Sequence, residues 1–145
     1  MKFRRIVPLL GALLLLWSSC ALAEDMQFVD AHGATGYYVD VDSIYYTQVA
    51  AGQPGEAAGL QELVQARVAV IKARQNRRYL YLMQFNRDKM AYRILSSKVQ
   101  VYDTKKIIEE NHMPTGEMPF AGTSPMQAVV DFIYEQPRNK VNNQQ

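Results

Sequence analysis

Cationic side chains in the middle of the chain are the residues whose type and spacing most clearly suggest chemistry. Between residues 67 and 106 there are eleven lysines and arginines but only two acids, so this stretch carries a formal charge of +9. If these cations share a surface, that surface attracts sulfated glycans, acidic lipid head groups or the carboxylates of another protein. Alternatively, residues 24 to 66, which contain seven acids and no base, pair beside the cations and cancel the field.

Tyrosines are the second group suited to recognition. The chain has nine, including the adjacent pairs Tyr37–Tyr38 and Tyr45–Tyr46. Tyrosine gives a large contact area at little cost in rotamer entropy, although tyrosines paired across strands also stabilise ordinary sheets. Two tyrosines of the basic stretch join six of its cations as candidate binding residues. The candidates are Arg74, Arg77, Arg78, Arg87, Lys89, Arg93, Tyr79 and Tyr81.

Residues that would support catalysis or metal binding are sparse. Asp40 and Asp42 are two apart on a predicted strand, so both carboxylates should face one side, as acid–base chemistry or a hard cation requires. They equally suit a solvated or turn-forming pair. His32 and His112 have glycine or proline nearby, and we expect both to be surface loop residues. We therefore predict no catalytic residue, no metal ligand, no cofactor and a protein that is not an enzyme.

The first 23 residues have the three parts of an export signal. A positively charged start is followed by an apolar core of about a dozen residues and by the small residues of Ala21–Leu22–Ala23. We expect Sec-dependent export, cleavage before Glu24, a periplasmic, secreted or cell-surface location, and no transmembrane segment after cleavage. Cys20 offers an alternative, in which the protein is a lipoprotein anchored at that cysteine.

Removal of the export signal would change the charge balance of the chain, and with it the classes of protein that the composition excludes. The whole chain of 145 residues has sixteen bases and fourteen acids, whereas residues 24 to 145 have thirteen bases and fourteen acids. This balance argues against a strongly basic, specific nucleic-acid binder, and the length leaves no room for a separate cofactor domain. We expect residues 24 to 136 to form a single β-rich domain and residues 137 to 145 a disordered polar tail.

Alternating side chains predict a meander of about five or six antiparallel strands. Residues 64 to 70 alternate apolar and polar side chains, which is typical of a half-buried strand. Residues 78 to 85 are apolar on both faces, so this strand should be central. Asp42 and Ser43 should bend or end an earlier strand because their side chains bond to their own backbone. Ser96–Ser97–Lys98 is expected to interrupt a later one.

The C-terminal part changes to a helical period. Ser124 should cap a helix whose first residue is Pro125, with Gln127 completing a capping box. An apolar stripe at helical spacing should cover one face of the sheet. Its members are Met126, Val129, Val130 and Ile133. Gln136 and Pro137 should end the helix, giving an α+β fold, an antiparallel sheet packed with one C-terminal helix.

Several short motifs resemble the bacterial surface-adhesin protein E-like family. They are Tyr37 to Ile44, Tyr92–Arg93–Ile94–Leu95, Val101–Tyr102–Asp103 and the segment from Pro119 to Tyr134 in which Ser124 opens a helix. The likeness spans about residues 26 to 134. It implies an antiparallel sheet with a C-terminal helix, sometimes dimeric, in a family whose named member is an adhesin for host matrix and serum proteins.

These observations favour a non-enzymatic binding module of the bacterial envelope or cell surface, adhesin-like in character. Its tyrosine-rich and basic sheet surface would bind a protein or a polyanionic glycan or lipid head group. An alternative is a structural or assembly protein of the envelope that uses an exposed strand edge or the helix stripe to form a homodimer or to join a larger complex. A small hydrolase built on Asp40, Asp42 or a histidine is the third hypothesis.

Overall fold

An antiparallel sheet packed against one C-terminal helix forms the body of the protein. The computed structural model describes residues 24–57 and 59–138; the predicted leader and residues 139 to 145 of the predicted tail lie outside them. Within these ranges the strands are β1 Met26–His32, β2 Thr35–Ala51, β3 Gly59–Lys72, β4 Arg77–Asn86, β5 Ala91–Val101, β6 Ile107–Asn111 and β7 Met118–Pro119. Strands β1 to β6 follow one another as a meander, and β7 pairs with β5. Helix α1 spans Pro125–Glu135, so the predicted α+β fold is confirmed.

The two central strands, β3 and β4, supply half of the buried hydrophobic residues among those described. β4 lies between β3 and β5, as its two apolar faces predict. Val68 on β3 and Phe85 on β4 are fully buried, and Val130 and Ile133 of α1 are buried with them. Burying each such side chain stabilises the fold by about 1.5–3 kcal/mol. The helix is therefore held by its predicted apolar stripe.

The sheet has two unlike faces because successive side chains of a strand point to opposite sides. We call the side on which α1 packs the helix face and the other side the open face. On β4 the core residues Met83 and Phe85 lie on the helix face, and Tyr79 and Tyr81 share it by their spacing. The residues between them, including Leu80 and Leu82, therefore lie on the open face.

A bulge bends β2 at Asp42 and Ser43. The pairing with β3 jumps from Asp40–Arg67 to Tyr45–Gln65, so four residues of β2 have no partner there. The Ser43 hydroxyl donates to the Asp40 carbonyl at 2.6 Å and accepts the Arg67 amide at 2.8 Å, which replaces the missing ladder bonds. The sequence predicted a bend or an end at this point, and the strand bends and continues.

β5 runs without a break through the residues expected to interrupt it. Ser96 pairs with Leu82, and Lys98 pairs with both Leu80 and Glu110. The expected interruption at Ser96–Ser97–Lys98 is therefore wrong. β4 pairs with all three residues and β6 pairs with Ser97 and Lys98, so tertiary pairing overrides their weak strand propensity.

The start of α1 differs from the predicted capping box. Ser124 is the residue before the helix, but its hydroxyl donates to the Ala121 carbonyl at 2.6 Å and caps no helical amide. The side chain of Gln127 donates to Asp131 at 2.8 Å, one turn further along the helix. The predicted position of the helix is correct and the predicted capping box is wrong, because both side chains have nearer partners.

Arg138, which the sequence places in the polar tail, joins the end of α1 to β3. Its two terminal nitrogens each donate to a carboxylate oxygen of Glu62 at 3.0 Å. The guanidinium carbon lies 4.2 Å from the ring centroid of Tyr46 and 5.6 Å from that of Tyr134. A bidentate ion pair stacked on aromatic rings fixes its geometry better than a simple surface pair does.

Candidate functional site

The eight predicted binding residues do not form one patch. Arg74, Arg77, Arg78 and Tyr79 lie around the turn that joins β3 to β4, and Tyr81 follows on β4. The remaining three are Arg87 and Lys89, in the β4–β5 turn, and Arg93, on β5. Because β4 runs from one end of the sheet to the other, its two turns lie at opposite ends. The structure therefore separates the predicted set into two regions.

Two turns come together at the β3–β4 end. Asn76 adopts the left-handed conformation that asparagine tolerates, with φ of 52°, and closes a short 3-10 turn, Ala73–Gln75. Its carbonyl accepts the Tyr102 amide at 3.1 Å, and its side chain exchanges hydrogen bonds of 3.1 and 3.3 Å with Asp103. Asn76 thereby ties the β5–β6 turn to the β3–β4 turn.

This junction gathers cations from two separate parts of the sequence. We call residues 72–78 together with residues 102–106 the basic turn end. It carries six cations and one acid, Asp103. The cations are Lys72, Arg74, Arg77, Arg78, Lys105 and Lys106. Lys72 pairs with Arg77 across the ladder, Arg77 pairs with Val101, and the Val101 amide donates to the Lys106 carbonyl at 2.9 Å.

Most of these cations are not neutralised by an acid. Arg78 binds Glu24, with 2.9 Å between the guanidinium nitrogen and the carboxylate oxygen. Arg77 donates to the Asn76 carbonyl at 3.1 Å, which orients the guanidinium without cancelling its charge. Across residues 24–57 and 59–138, the other five cations of the basic turn end make no ion pair. Their charge is therefore available to a partner.

Tyrosine rings adjoin the basic turn end on the helix face. The rings of Tyr79 and Tyr81 are nearly parallel, with centroids 6.3 Å apart. The Lys72 ammonium lies 5.5 Å from the centroid of Tyr79, and the Lys105 ammonium 4.4 Å from that of Tyr102. Burial, and then the neighbouring phenol of Tyr79, raises the pKa of Tyr81 above 10.0, so the phenol stays neutral at physiological pH. Cations held over aromatic faces give this surface both charge and flat contact area.

The predicted residues at the other end have contacts within the chain. The Arg87 guanidinium lies 4.5 Å from the centroid of Tyr134, beside Arg138. Lys89 is exposed, and its amide donates to the Asn86 side chain at 3.1 Å. Arg93 pairs with Gln84 on the open face, and its Nε is buried without a hydrogen-bond partner among the described residues. These residues therefore do not extend the basic turn end.

The sequence-based candidates include three of the six cations of the basic turn end, Arg74, Arg77 and Arg78, but not Lys72, Lys105 and Lys106. The meander itself was a signal that could have found them. Alternate hairpins of a meander lie at the same end of the sheet, so the β3–β4 and β5–β6 turns must be neighbours or nearly so. The bond network of Asn76 brings those two turns into contact.

The acidic pair that suggested catalysis is split by the bulge. Asp40 is 2% exposed, and its carboxylate accepts the amides of Asp25 and Asp42 at 3.1 and 3.3 Å. Arg67 adds a contact at 3.5 Å. Asp42 is exposed and lies in the bulge, where the ladder with β3 is broken, so the two carboxylates have different environments and simple alternation does not apply between them.

The two histidines lie apart from these carboxylates. His32 is exposed but ends strand β1, where it pairs with Thr35, so its expected place in a loop is wrong; it lies six residues along the strand from Met26, the partner of Asp40. The side chain of His112 is 72% exposed, and its Nε2 lies 3.1 Å from Glu110. In the described ranges, no three histidine, cysteine, aspartate or glutamate side chains gather closely enough to hold a metal ion.

Comparisons with other proteins add no assignment. In the part of the chain that the structure describes, no helix has the length and apolarity needed to cross a bilayer. The resemblance to the surface-adhesin protein E-like family stays a prediction that rests on short motifs. No protein-family model, no curated protein and no solved structure matches this chain.

Proposed function

We propose that this protein is a non-enzymatic binding module of the bacterial envelope or cell surface, and that the basic turn end binds a polyanion or an acidic protein surface. The observation that carries the proposal is the junction of two turns at Asn76, which places six cations beside one acid. Five of the six make no ion pair within the described residues. Unneutralised charge at one end of a molecule favours anionic partners and speeds their association.

The chemistry of the partner follows from the side chains at this end. Arginine binds carboxylate, sulfate and phosphate groups in a bidentate manner, whereas the lysines act as point charges. The half-buried rings of Tyr79 and Tyr81 add apolar contact area beside the cations. A sulfated glycan or an acidic segment of a matrix protein satisfies both requirements. The predicted export signal would place the protein where such partners are found.

The hydrolase hypothesis has little support in the geometry. The carboxylate of Asp40 is already used to hold the N-terminal segment and the bulge, and Asp42 points into solvent. A catalytic base must reach a nucleophile or a water held beside the substrate, and neither histidine lies beside this pair. A binding function requires no such convergence.

Assembly through strand edges also receives less support than binding. All five residues of β6 are exposed, and Ile107 and Ile108 are 47% and 48% exposed. However, Glu109 and Glu110 occupy the middle of this strand, so two copies paired antiparallel would bring like charges together. Charged edge residues are a usual means of preventing such pairing.

Heparin binding at graded salt concentrations tests the proposal, with purified protein expressed from the 145-residue sequence. The double variant Arg74→Gln/Lys106→Gln removes two cations that make no ion pair among the described residues. We expect it to weaken heparin binding and to lower the slope of log K against log salt by about one unit for each cation lost. The same variants assayed on immobilised matrix proteins distinguish a glycan from a protein partner.

The matched control removes the same charge from the opposite end of the sheet. Arg87→Gln/Lys89→Gln should bind heparin nearly as well as the parent protein, because these residues lie outside the basic turn end. Circular dichroism checks that each variant is folded. Equal losses in the two double variants would show that net charge alone governs binding, and the proposed site would be wrong. Absence of heparin and matrix binding by the parent protein would refute the function itself.

A further inference from the structure

A cavity on the open face combines an apolar floor with a cationic rim. Its volume is about 350 Å³, and its lining includes Glu24, Arg67, Leu80, Leu82, Ser96 and Lys98. Arg67 pairs with Leu82, and Lys98 pairs with Leu80 on the other side of β4. The two leucines are therefore flanked by a cation on each neighbouring strand. The helix covers only the opposite face, so this site is separate from the hydrophobic core.

The two flanking cations are only loosely held by acids of the chain. The side chain of Arg67 is 48% exposed, and its Nη1 lies 3.5 Å from Asp40. The side chain of Lys98 is 45% exposed, and its Nζ lies 3.4 Å from Glu110. The Lys98–Glu110 pair is exposed at both partners and so contributes little to stability, whereas Arg67 joins the buried Asp40 carboxylate through one long contact. Lys98 can therefore turn toward an anion in the cavity, and Arg67 lines the cavity from the β3 side with about half of its side chain exposed.

Glu24 shows that a carboxylate fits at the rim. It is the first described residue, and its carboxylate binds Arg78 at 2.9 Å while also lining the cavity. Asp25 follows and is fixed by backbone hydrogen bonds to Val41 at 3.0 Å and to the Asp40 side chain at 3.1 Å. The chain itself thus supplies an anion beside the leucine floor, where it would repel a second one.

We propose that this cavity binds a single-chain amphiphile with one anionic head group, such as a fatty carboxylate. The alkyl chain would lie on Leu80 and Leu82, and the head group would meet Lys98 and Arg67, with the Ser96 hydroxyl as a further donor. A polyanion without an alkyl chain would make no apolar contact with the leucines, and a neutral lipid would form no ion pair with the cations. The volume is within the range of small-molecule sites.

Calorimetric titration with three probes tests the ligand class, each kept below its micelle concentration. Dodecanoate has both the chain and the anionic head, butanoate has the head with a short chain, and dodecyltrimethylammonium has the chain with the opposite charge. We expect dodecanoate to bind at least about tenfold more tightly than either of the others, because each lacks one of the two contacts. Equal affinity for all three probes, or no detectable binding of dodecanoate, would overturn the proposal.

Three single substitutions locate the site. Lys98→Gln should weaken dodecanoate binding by about three- to tenfold, because it removes a head-group contact. Glu24→Gln should strengthen it, because a competing carboxylate is removed from the rim. Lys89→Gln, in a distant turn, is the matched control and should leave the affinity unchanged. If neither Lys98→Gln nor Glu24→Gln changed the affinity for dodecanoate, the amphiphile would bind elsewhere and the proposed site would be refuted. Heparin binding by Lys98→Gln should stay at the parent level, which separates this test from that of the basic turn end.

Discussion

The buried carboxylate of Asp40 should be a structural group, so its removal should destabilise the fold. Asp40 is 2% exposed and accepts hydrogen bonds from the amides of Asp25 and Asp42, with Arg67 as a third donor. These donors connect the N-terminal segment, the bulge of β2 and strand β3. In Asp40→Ala all three lose their acceptor at once.

The size of the loss follows from the three distances. The Asp25 bond, at 3.1 Å, is within the usual range, whereas those from Asp42 and Arg67, at 3.3 and 3.5 Å, are long. A well-formed hydrogen bond to a charged acceptor contributes about 1.5–3 kcal/mol, and long ones contribute less. We therefore expect Asp40→Ala to lower the free energy of unfolding by about 2–4 kcal/mol. Asp40→Asn, which keeps one acceptor oxygen, should lose less.

Urea denaturation followed by far-ultraviolet circular dichroism measures this change by linear extrapolation. Asp42→Ala is the matched control, because Asp42 is exposed and its substitution should alter stability by no more than about 0.5 kcal/mol. If Asp40→Ala were as stable as the parent protein, or more stable, the structural role would be refuted. A buried carboxylate kept at a cost in stability is typical of an active site, so that result would support the hydrolase hypothesis instead.

Two further predictions concern alkaline pH and the β6 edge. Burial, together with the nearby charge of Glu62, raises the pKa of Tyr134 from 10.0 to about 12, and burial also raises that of Tyr46. The folded protein then keeps protons that the unfolded chain releases, so this stabilisation is complete below pH 10 and should be lost as pH rises from about 10 to 12. Urea midpoints in that interval, with phenolate absorbance as a second readout, check this; constant midpoints would contradict it. The parent protein should sediment as a monomer at neutral pH, and Glu109→Gln/Glu110→Gln should promote self-association through β6. If the parent protein were a dimer and the double substitution left it a dimer, the prediction that Glu109 and Glu110 prevent pairing through β6 would be wrong.

Local side-chain patterns were enough to predict the main elements. The alternation in residues 64 to 70 and the doubly apolar residues 78 to 85 predicted two strands, and both lie at the centre of the sheet. The stripe ending at Ile133 predicted the helix and its buried face. These predictions succeed because the period of a strand or a helix is written in neighbouring residues and needs no distant partner.

Predictions at the ends and irregular points of elements were less successful. The polar segment Ser96–Ser97–Lys98 suggests a break in the strand, but the segment pairs with β4 on one side and with β6 on the other. The Ser124 side chain reads as a helix cap, but the Ala121 carbonyl is within its reach. In each case a polar group can be satisfied in several ways, and the surrounding structure selects one.

The sequence by itself determined the strand and helix periodicity and the charge that each segment carries. Only the tertiary structure decided which charges meet. Asn76 joins its own turn to Asp103, 27 residues further along the chain, and the bulge at Ser43 gives Asp40 and Asp42 different environments. The tertiary structure also decided that Leu80 and Leu82, two members of one apolar run, lie on the face opposite the helix. The physical reason is that register, bulges and contacts between turns depend on hydrogen bonds between residues distant in sequence, which no local pattern encodes.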